Sequence, residues 1–139
     1  MPNNKIVLDT NCLLVSISRY GEAYPVWRAF LDGKYTLCVS TDILEEYEEI
    51  IGRLTSPDVA RNIIAAILKR KNVLRVDPYF HWQLIADDPD DNKFVDCAFA
   101  ANATYIVSDD THFDALQDIT FPKLVVLKLK EFMYTLQKA

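Results

Sequence analysis

Apolar positions along this chain alternate between runs of four or five residues and stripes of helical period. Lys5–Asp9 (KIVLD) is a branched apolar run too short for a helix, and it predicts a buried strand closed by an acid. Asn11–Tyr20 and Glu22–Leu31 follow with helical spacing, Pro25 standing near the start of the second, where a missing N–H is tolerated. Tyr35–Val39 (YTLCV) predicts a second strand. Ser40 or Thr41 can then cap a helix running through Leu54, with Glu45 or Glu46 near the capping-box position and Leu44, Tyr47, Ile50 and Ile51 as its apolar stripe. Ser56-Pro57-Asp58 opens another helix to about Lys71, with Ile63, Ile64, Ile67 and Leu68 on one side, and Val73–Val76 is a short strand. Asp87-Asp88-Pro89-Asp90-Asp91-Asn92 is a turn by composition and delivers Asp91 or Asn92 to the start of a helix ending near Ala103. Thr104–Ser108 (TYIVS) predicts a strand, Thr111–Leu116 a short helix, Leu124–Leu127 (LVVL) a last strand and Lys130–Gln137 a terminal helix.

Strands separated by helical stretches of about ten or more residues imply a parallel sheet covered by helices on both faces. The expected fold class is therefore a three-layer α/β/α arrangement around a mainly parallel sheet. At 139 residues, with no repeat, low-complexity tract or linker, residues 1–139 make one domain. In such sheets ligands bind beyond the carboxyl ends of the strands. Asp9 ends one strand, Asp109 and Asp110 follow another directly, and Asp87–Asp91 follows Val73–Val76 after a connection, so acids distant in sequence are expected at one edge.

Composition modifies this picture in two ways. Cys12, Cys38 and Cys97 are widely spaced and odd in number, which fits buried thiols in a reducing compartment. No apolar run spans a membrane, and Met1–Lys5 lacks a secretory h-region, so a cytoplasmic location is expected. The net charge of −5 runs against a nucleic-acid partner, but 13 of the 20 acids lie at Asp9, in Glu45–Glu49, in Asp87–Asp96 and in Asp109–Asp114. Outside those places seven acids face 14 of the 15 Lys and Arg residues, Lys93 being the exception. With cations on the acidic clusters the rest of the chain is basic enough for RNA, a regrouping that permits nucleic acid without indicating it.

Each acid has an ordinary explanation. Asp9 can be a turn or cap residue feeding Thr10 and Asn11, and Glu45, Glu46, Glu48 and Glu49 can be a solvated helix face, although Glu46 borders the stripe at Tyr47. Asp87–Asp91 alone is a hydrophilic turn with a helix cap, and Asp110 alone is the same before Thr111–Leu116.

Taken in order, VLDTN, ILEEYEEII, DPDDNKF and YIVSDD resemble the PIN-domain family, from Ile6 through the Leu124–Leu127 strand. The likeness is to the prokaryotic VapC-like ribonucleases that act as toxins in toxin–antitoxin systems. It implies that Asp9 is the family's first acid, with Asn11 its polar companion. Glu46 then matches the family's helix glutamate, since Ile50 and Ile51 stand four and five residues after it as in the family; Glu45 is out of register. By the same resemblance Asp91 matches the third acid and Asp110 the fourth; Asp109 replaces the family's usual Gly, which leaves open which of the pair faces the metal, register favouring Asp110. Asp96, about 140° round a helix from Asp91, is a secondary candidate with Asn11 and Asp109.

Four converging carboxylates cannot all stay ionised without cations. All-oxygen ligands suit Mg²⁺ or Mn²⁺, and the lack of a Cys/His constellation argues against Zn²⁺. The resemblance thus implies a metal-dependent ribonuclease with Asp9, Glu46, Asp91 and Asp110 as ligands, leaving a 5′-phosphate, and having an antitoxin partner and a homodimeric state. An RNA-processing PIN nuclease or a catalytically weak PIN binding module would look the same. A phospho-receiver domain needs a pair of acids after its first strand and a haloacid-dehalogenase-type phosphatase needs Asp-x-Asp there; VLDTN offers neither. His112 can touch phosphate but reads first as a surface residue, and His81 lies in YFHWQLI, where Tyr79, Phe80 and Trp82 can stack on bases or pack. Lys69, Arg70 and Lys71 end a helix and complement its dipole, or meet RNA phosphates.

Overall fold

Five short strands pair in the order β3-β2-β1-β4-β5, every pairing parallel, in a computed structural model that describes residues 4–79, 81–85, 91–118 and 124–138. They are β1 (Lys5–Leu8), β2 (Thr36–Val39), β3 (Val73–Arg75), β4 (Tyr105–Val107) and β5 (Val126–Leu127). Between them run α1 (Thr10–Ser16), α2 (Tyr24–Leu31), α3 (Thr41–Leu54), α4 (Pro57–Lys69) and α5 (Asn92–Ala101), then a 3-10 helix at Thr111–Asp118 and finally α6 (Leu129–Lys138). Helices cover both faces of the sheet, so the three-layer α/β/α expectation holds. Burial follows position: Ile6, Val7 and Leu8 in the central strand are buried, whereas β3 and β5 at the edges are only partly covered.

The chain winds from β1 outward to β2 and β3, then returns across the sheet to start β4 on the other side of β1. The reversal opens a crevice between the carboxyl ends of β1 and β4, the place where open α/β sheets bind ligands. Leu8 pairs with Val107, and the Asp9 N–H donates to the Val107 carbonyl at 3.0 Å, so both strands deliver their next residues to the same spot.

Several element boundaries shift from the sequence expectation. The first helix stops at Ser16 and not at Tyr20; the Ser16 hydroxyl donates back to the Cys12 carbonyl at 2.6 Å, and Tyr20 lies exposed, with no apolar stripe to extend the helix. In α3 the buried stripe is Ile43, Leu44, Tyr47 and Ile51, Ile50 being half-buried, and Ser40 is the cap, accepting from the Ile43 N–H at 3.2 Å. The expected short helix at Thr111 is of the 3-10 type, and the last strand shrinks to the two residues that pair with β4. At the end of α5, Asn102 takes the left-handed conformation (φ 54°), which asparagine tolerates and which closes the helix through its N–H. The Asp87–Asp90 part of the predicted turn, and Phe80, lie outside the described residues.

Cys12, Cys38 and Cys97 are free and buried, as expected of core thiols, and burial pushes the Cys12 thiol up to about 12 and that of Cys38 to about 11. No helix among the described residues is long and apolar enough to cross a membrane.

Candidate metal centre

Asp9 leaves β1 at the crevice with 6% of its surface exposed. Ser108 occupies the matching place after β4, and its hydroxyl donates to Asp9 Oδ2 at 2.8 Å while accepting from the Asp110 N–H at 3.0 Å. One serine therefore fixes the first acid and turns the chain that carries the fourth. Asp9 does not cap α1 with its side chain. Burial raises its carboxyl above the ordinary value; the Ser108 hydroxyl and the Thr10 N–H pull it back, and Asp110 and Glu46 raise it by like charge.

Glu46 reaches the same crevice because Tyr47, next to it, is fully buried and donates its hydroxyl to the Leu8 carbonyl at 2.6 Å, fastening α3 to the end of β1. The Thr10 hydroxyl donates to Glu46 Oε2, and Lys93 Nζ donates to Oε1 at 2.9 Å. Glu45, Glu48 and Glu49 are exposed.

Asp91 precedes α5. Its expected capping role is not realised, since the side chain makes no cap hydrogen bond. Asp91 Oδ2 lies 3.2 Å from His112 Nδ1, and the same nitrogen lies 3.3 Å from Asp110 Oδ1. Ligating atoms of Asp91, Asp110 and His112 all fall within 4.8 Å of one another. Asn92 anchors the start of α5 through reciprocal bonds with Ile85, accepting from its N–H at 2.9 Å and donating to its carbonyl at 3.0 Å.

Asp109 and Asp110 point in different directions. Asp109 turns to the start of α6, its Oδ1 accepting from the Leu129 N–H at 2.9 Å, while Asp110 turns to the acids. Asn11 is exposed on α1. Asp96 is 4% exposed and faces the segment 81–85, accepting from the Trp82 N–H at 2.9 Å and lying 3.2 Å from His81 Nδ1. Trp82 packs its ring edge-on to Phe99 with centroids 4.4 Å apart, so it serves packing, while Tyr79 is exposed. Lys69, Arg70 and Lys71 are exposed at the end of α4, Arg70 Nη1 donating to the Leu31 carbonyl at 3.1 Å.

Sequence reasoning left Ser108, Thr10, Lys93 and His112 without these roles. Ser108 and His112 had a local signal, as polar residues beside the acid pair, but Ser108 meets Asp9 across 99 positions, and Thr10, Lys93 and His112 meet Glu46, Glu46 and Asp91 across 36, 47 and 21.

Two consequences can be measured on the metal-free protein. Because the folded state raises the Asp9 carboxyl, that group favours folding below the ordinary carboxylate range and loses this contribution as pH rises through the raised value. Melts in chelator should show Asp9→Asn at least as stable as wild type at pH 7, the gap closing toward about pH 4. Asp96→Ala should cost roughly 1–3 kcal/mol in denaturant unfolding, because it strips the Trp82 N–H of its acceptor. An unchanged midpoint would show that Asp96 is not what holds that segment.

The PIN-domain family profile matches residues 5–112. At the level of sequence no curated protein matches the chain. Among solved structures, the fold resembles VapBC2 from Rickettsia felis bound to a promoter DNA fragment, with TM-score 0.62 and 16% identity over 89% of this chain and 98% of that one. It also resembles FitAcB from Neisseria gonorrhoeae, with TM-score 0.53 and 16% identity over 90% and 98% of the two chains. The T. brucei RRP44 PIN domain matches with TM-score 0.52 and 15% identity over 98% of this chain and 82% of that one. The chain belongs to the PIN-domain family, with a nuclease-like fold and, in Asp91, Asp110 and His112, a candidate metal site.

Proposed function

We propose that this PIN-domain protein is a ribonuclease that hydrolyses RNA phosphodiester bonds with Mg²⁺ or Mn²⁺ held by Asp9, Glu46, Asp91 and Asp110. The observation that carries the reading is the meeting of Asp91 and Asp110 at His112, beside an Asp9 whose carboxyl already feels Asp110 and Glu46. Lys93 answers one of the four negative charges, and the surplus is what a divalent cation would balance. When bound, such an ion supplies an activated water and stabilises charge on the reacting oxygens. The chain's own residues then have distinct tasks. Ser108 keeps Asp9 oriented, and Thr10 and Lys93 keep Glu46 aimed into the crevice. Lys93 also brings a positive charge to where a phosphate would arrive. The cut would leave a 5′-phosphate.

Incubation of the purified protein with single-stranded RNA tests this reading. Cleavage is expected in Mg²⁺ or Mn²⁺, stopping in excess EDTA and returning when metal is restored. Full cleavage with the metal demonstrably removed would overturn it, and binding without cleavage in either metal would point to a PIN module kept for recognition.

We further propose that the protein is the toxin of a toxin–antitoxin pair, working as a homodimer in the cytoplasm. An acidic cleft of about 1290 Å³ that reaches Glu46 supports a basic protein partner: Asp42, Glu45, Glu46, Glu49, Asp77 and Asp96 outnumber Arg53 and Lys93 along it. A basic segment of an antitoxin is complementary to that lining. A nuclease of RNA processing would lack such a partner, and co-purification with the product of a neighbouring reading frame separates the two.

A further inference from the structure

His112 stands where only oxygen donors were expected, and its placement is determined by the fold. Its backbone N–H donates to Asp110 Oδ1 at 2.9 Å, and the next residue, Phe113, is fully buried against Phe94 of α5, ring centroids 6.4 Å apart. Phe94 follows Asp91 by three residues, so this one packing contact ties the 3-10 helix that carries the imidazole to the helix that Asp91 precedes. The imidazole side chain is 36% exposed, which leaves it open to an arriving hydrated ion.

Neighbouring donor atoms around an ion at about 2.1 Å stand roughly 3.0 Å apart on an octahedron and 3.4 Å on a tetrahedron. The separations of His112 Nδ1 from Asp91 Oδ2 and Asp110 Oδ1 are 3.2 and 3.3 Å, on that scale. Nitrogen is a poor replacement for oxygen around Mg²⁺, which dehydrates reluctantly and prefers oxygen ligands. It is a good one for first-row transition dications, whose affinity for mixed nitrogen and oxygen sites rises from Mn²⁺ through Co²⁺.

We propose that His112 is a nitrogen donor to the ion held by Asp91 and Asp110, and that it makes this centre prefer first-row transition dications over Mg²⁺. The inference rests on the metal-dependent reading above and narrows it. A histidine that merely hydrogen-bonds Asp91 would steady the site for every cation equally, whereas a ligating histidine discriminates between them.

Titration of metal-free wild type, His112→Asn and His112→Ala with Mg²⁺, Mn²⁺ and Co²⁺, followed by calorimetry, tests it without any cleavage step. Pulsed electron paramagnetic resonance of bound Mn²⁺ reads the nitrogen directly. In wild type, affinity is expected to rise from Mg²⁺ to Mn²⁺ to Co²⁺, with a ¹⁴N coupling on Mn²⁺. Both variants should lose that coupling and weaken Mn²⁺ and Co²⁺ by about tenfold or more while changing Mg²⁺ less than about threefold, since even an outer contact to a ligand is worth 10- to 100-fold in affinity. Parallel weakening of all three ions, or wild-type Mn²⁺ without nitrogen coupling, would overturn the ligand role and leave the ribonuclease reading standing. Wild type that binds none of the ions would overturn both. The wild-type spectrum decides even if a variant fails to fold.

Discussion

Asp91→Asn is expected to lower RNA cleavage by at least about 10³-fold, because losing a ligand removes several kcal/mol of charge stabilisation from the reaction and each 1.36 kcal/mol is tenfold in rate. The substitution is a clean probe. Asn has the shape of Asp, and the Asp91 side chain makes no helix-capping bond whose loss would confuse the result. Removing one of several mutually repelling carboxylates should leave the metal-free protein as stable as wild type or more so. Initial rates on labelled single-stranded RNA, with unfolding curves of both proteins in chelator, check the two halves together. A variant that keeps a tenth of the wild-type rate would remove Asp91 from the centre.

Added metal should produce the second large effect. An ion that binds only the folded state stabilises it by about 2.7 kcal/mol at a hundredfold excess over its dissociation constant. For a chain of this length that is roughly a 10 °C rise in melting temperature. Melts across a Mn²⁺ series should climb logarithmically once the site fills and fall back with EDTA. A flat series would mean that the acids do not form a metal site.

How much of this was legible in the sequence depended on how local the cause was. The first strand and Asp9 were readable because KIVLD is an apolar run ended by an acid. Glu46 could be distinguished from Glu45 by its spacing to Ile50 and Ile51; the physical reason is Tyr47, whose buried hydroxyl bonds the Leu8 carbonyl and fixes which glutamate faces the crevice. The parallel order followed from alternating strands and helices, but the reversal between β1 and β4 that makes the crevice is a tertiary fact. Asp110 was favoured over Asp109 by register alone. What separates them is the Leu129 N–H, which claims Asp109 from 20 residues away. His112 escaped for the same reason: beside Thr111 it looks like any exposed histidine, and only Phe113 packing on Phe94 brings it to Asp91. Asp91 does stand just before α5, as the turn composition indicated, but its carboxylate is turned to His112 and makes no capping bond, while Asn92 binds the Ile85 backbone.

The most direct test of the centre is a side-by-side Mn²⁺ titration of wild type and Asp91→Asn, read as the stability each gains over its own metal-free state. Wild type should gain about 2.7 kcal/mol at a hundredfold excess over its dissociation constant, and the variant should gain clearly less at the same concentrations. Equal gains across the full titration would contradict the account, making Asp91 a turn residue and the four acids a surface coincidence.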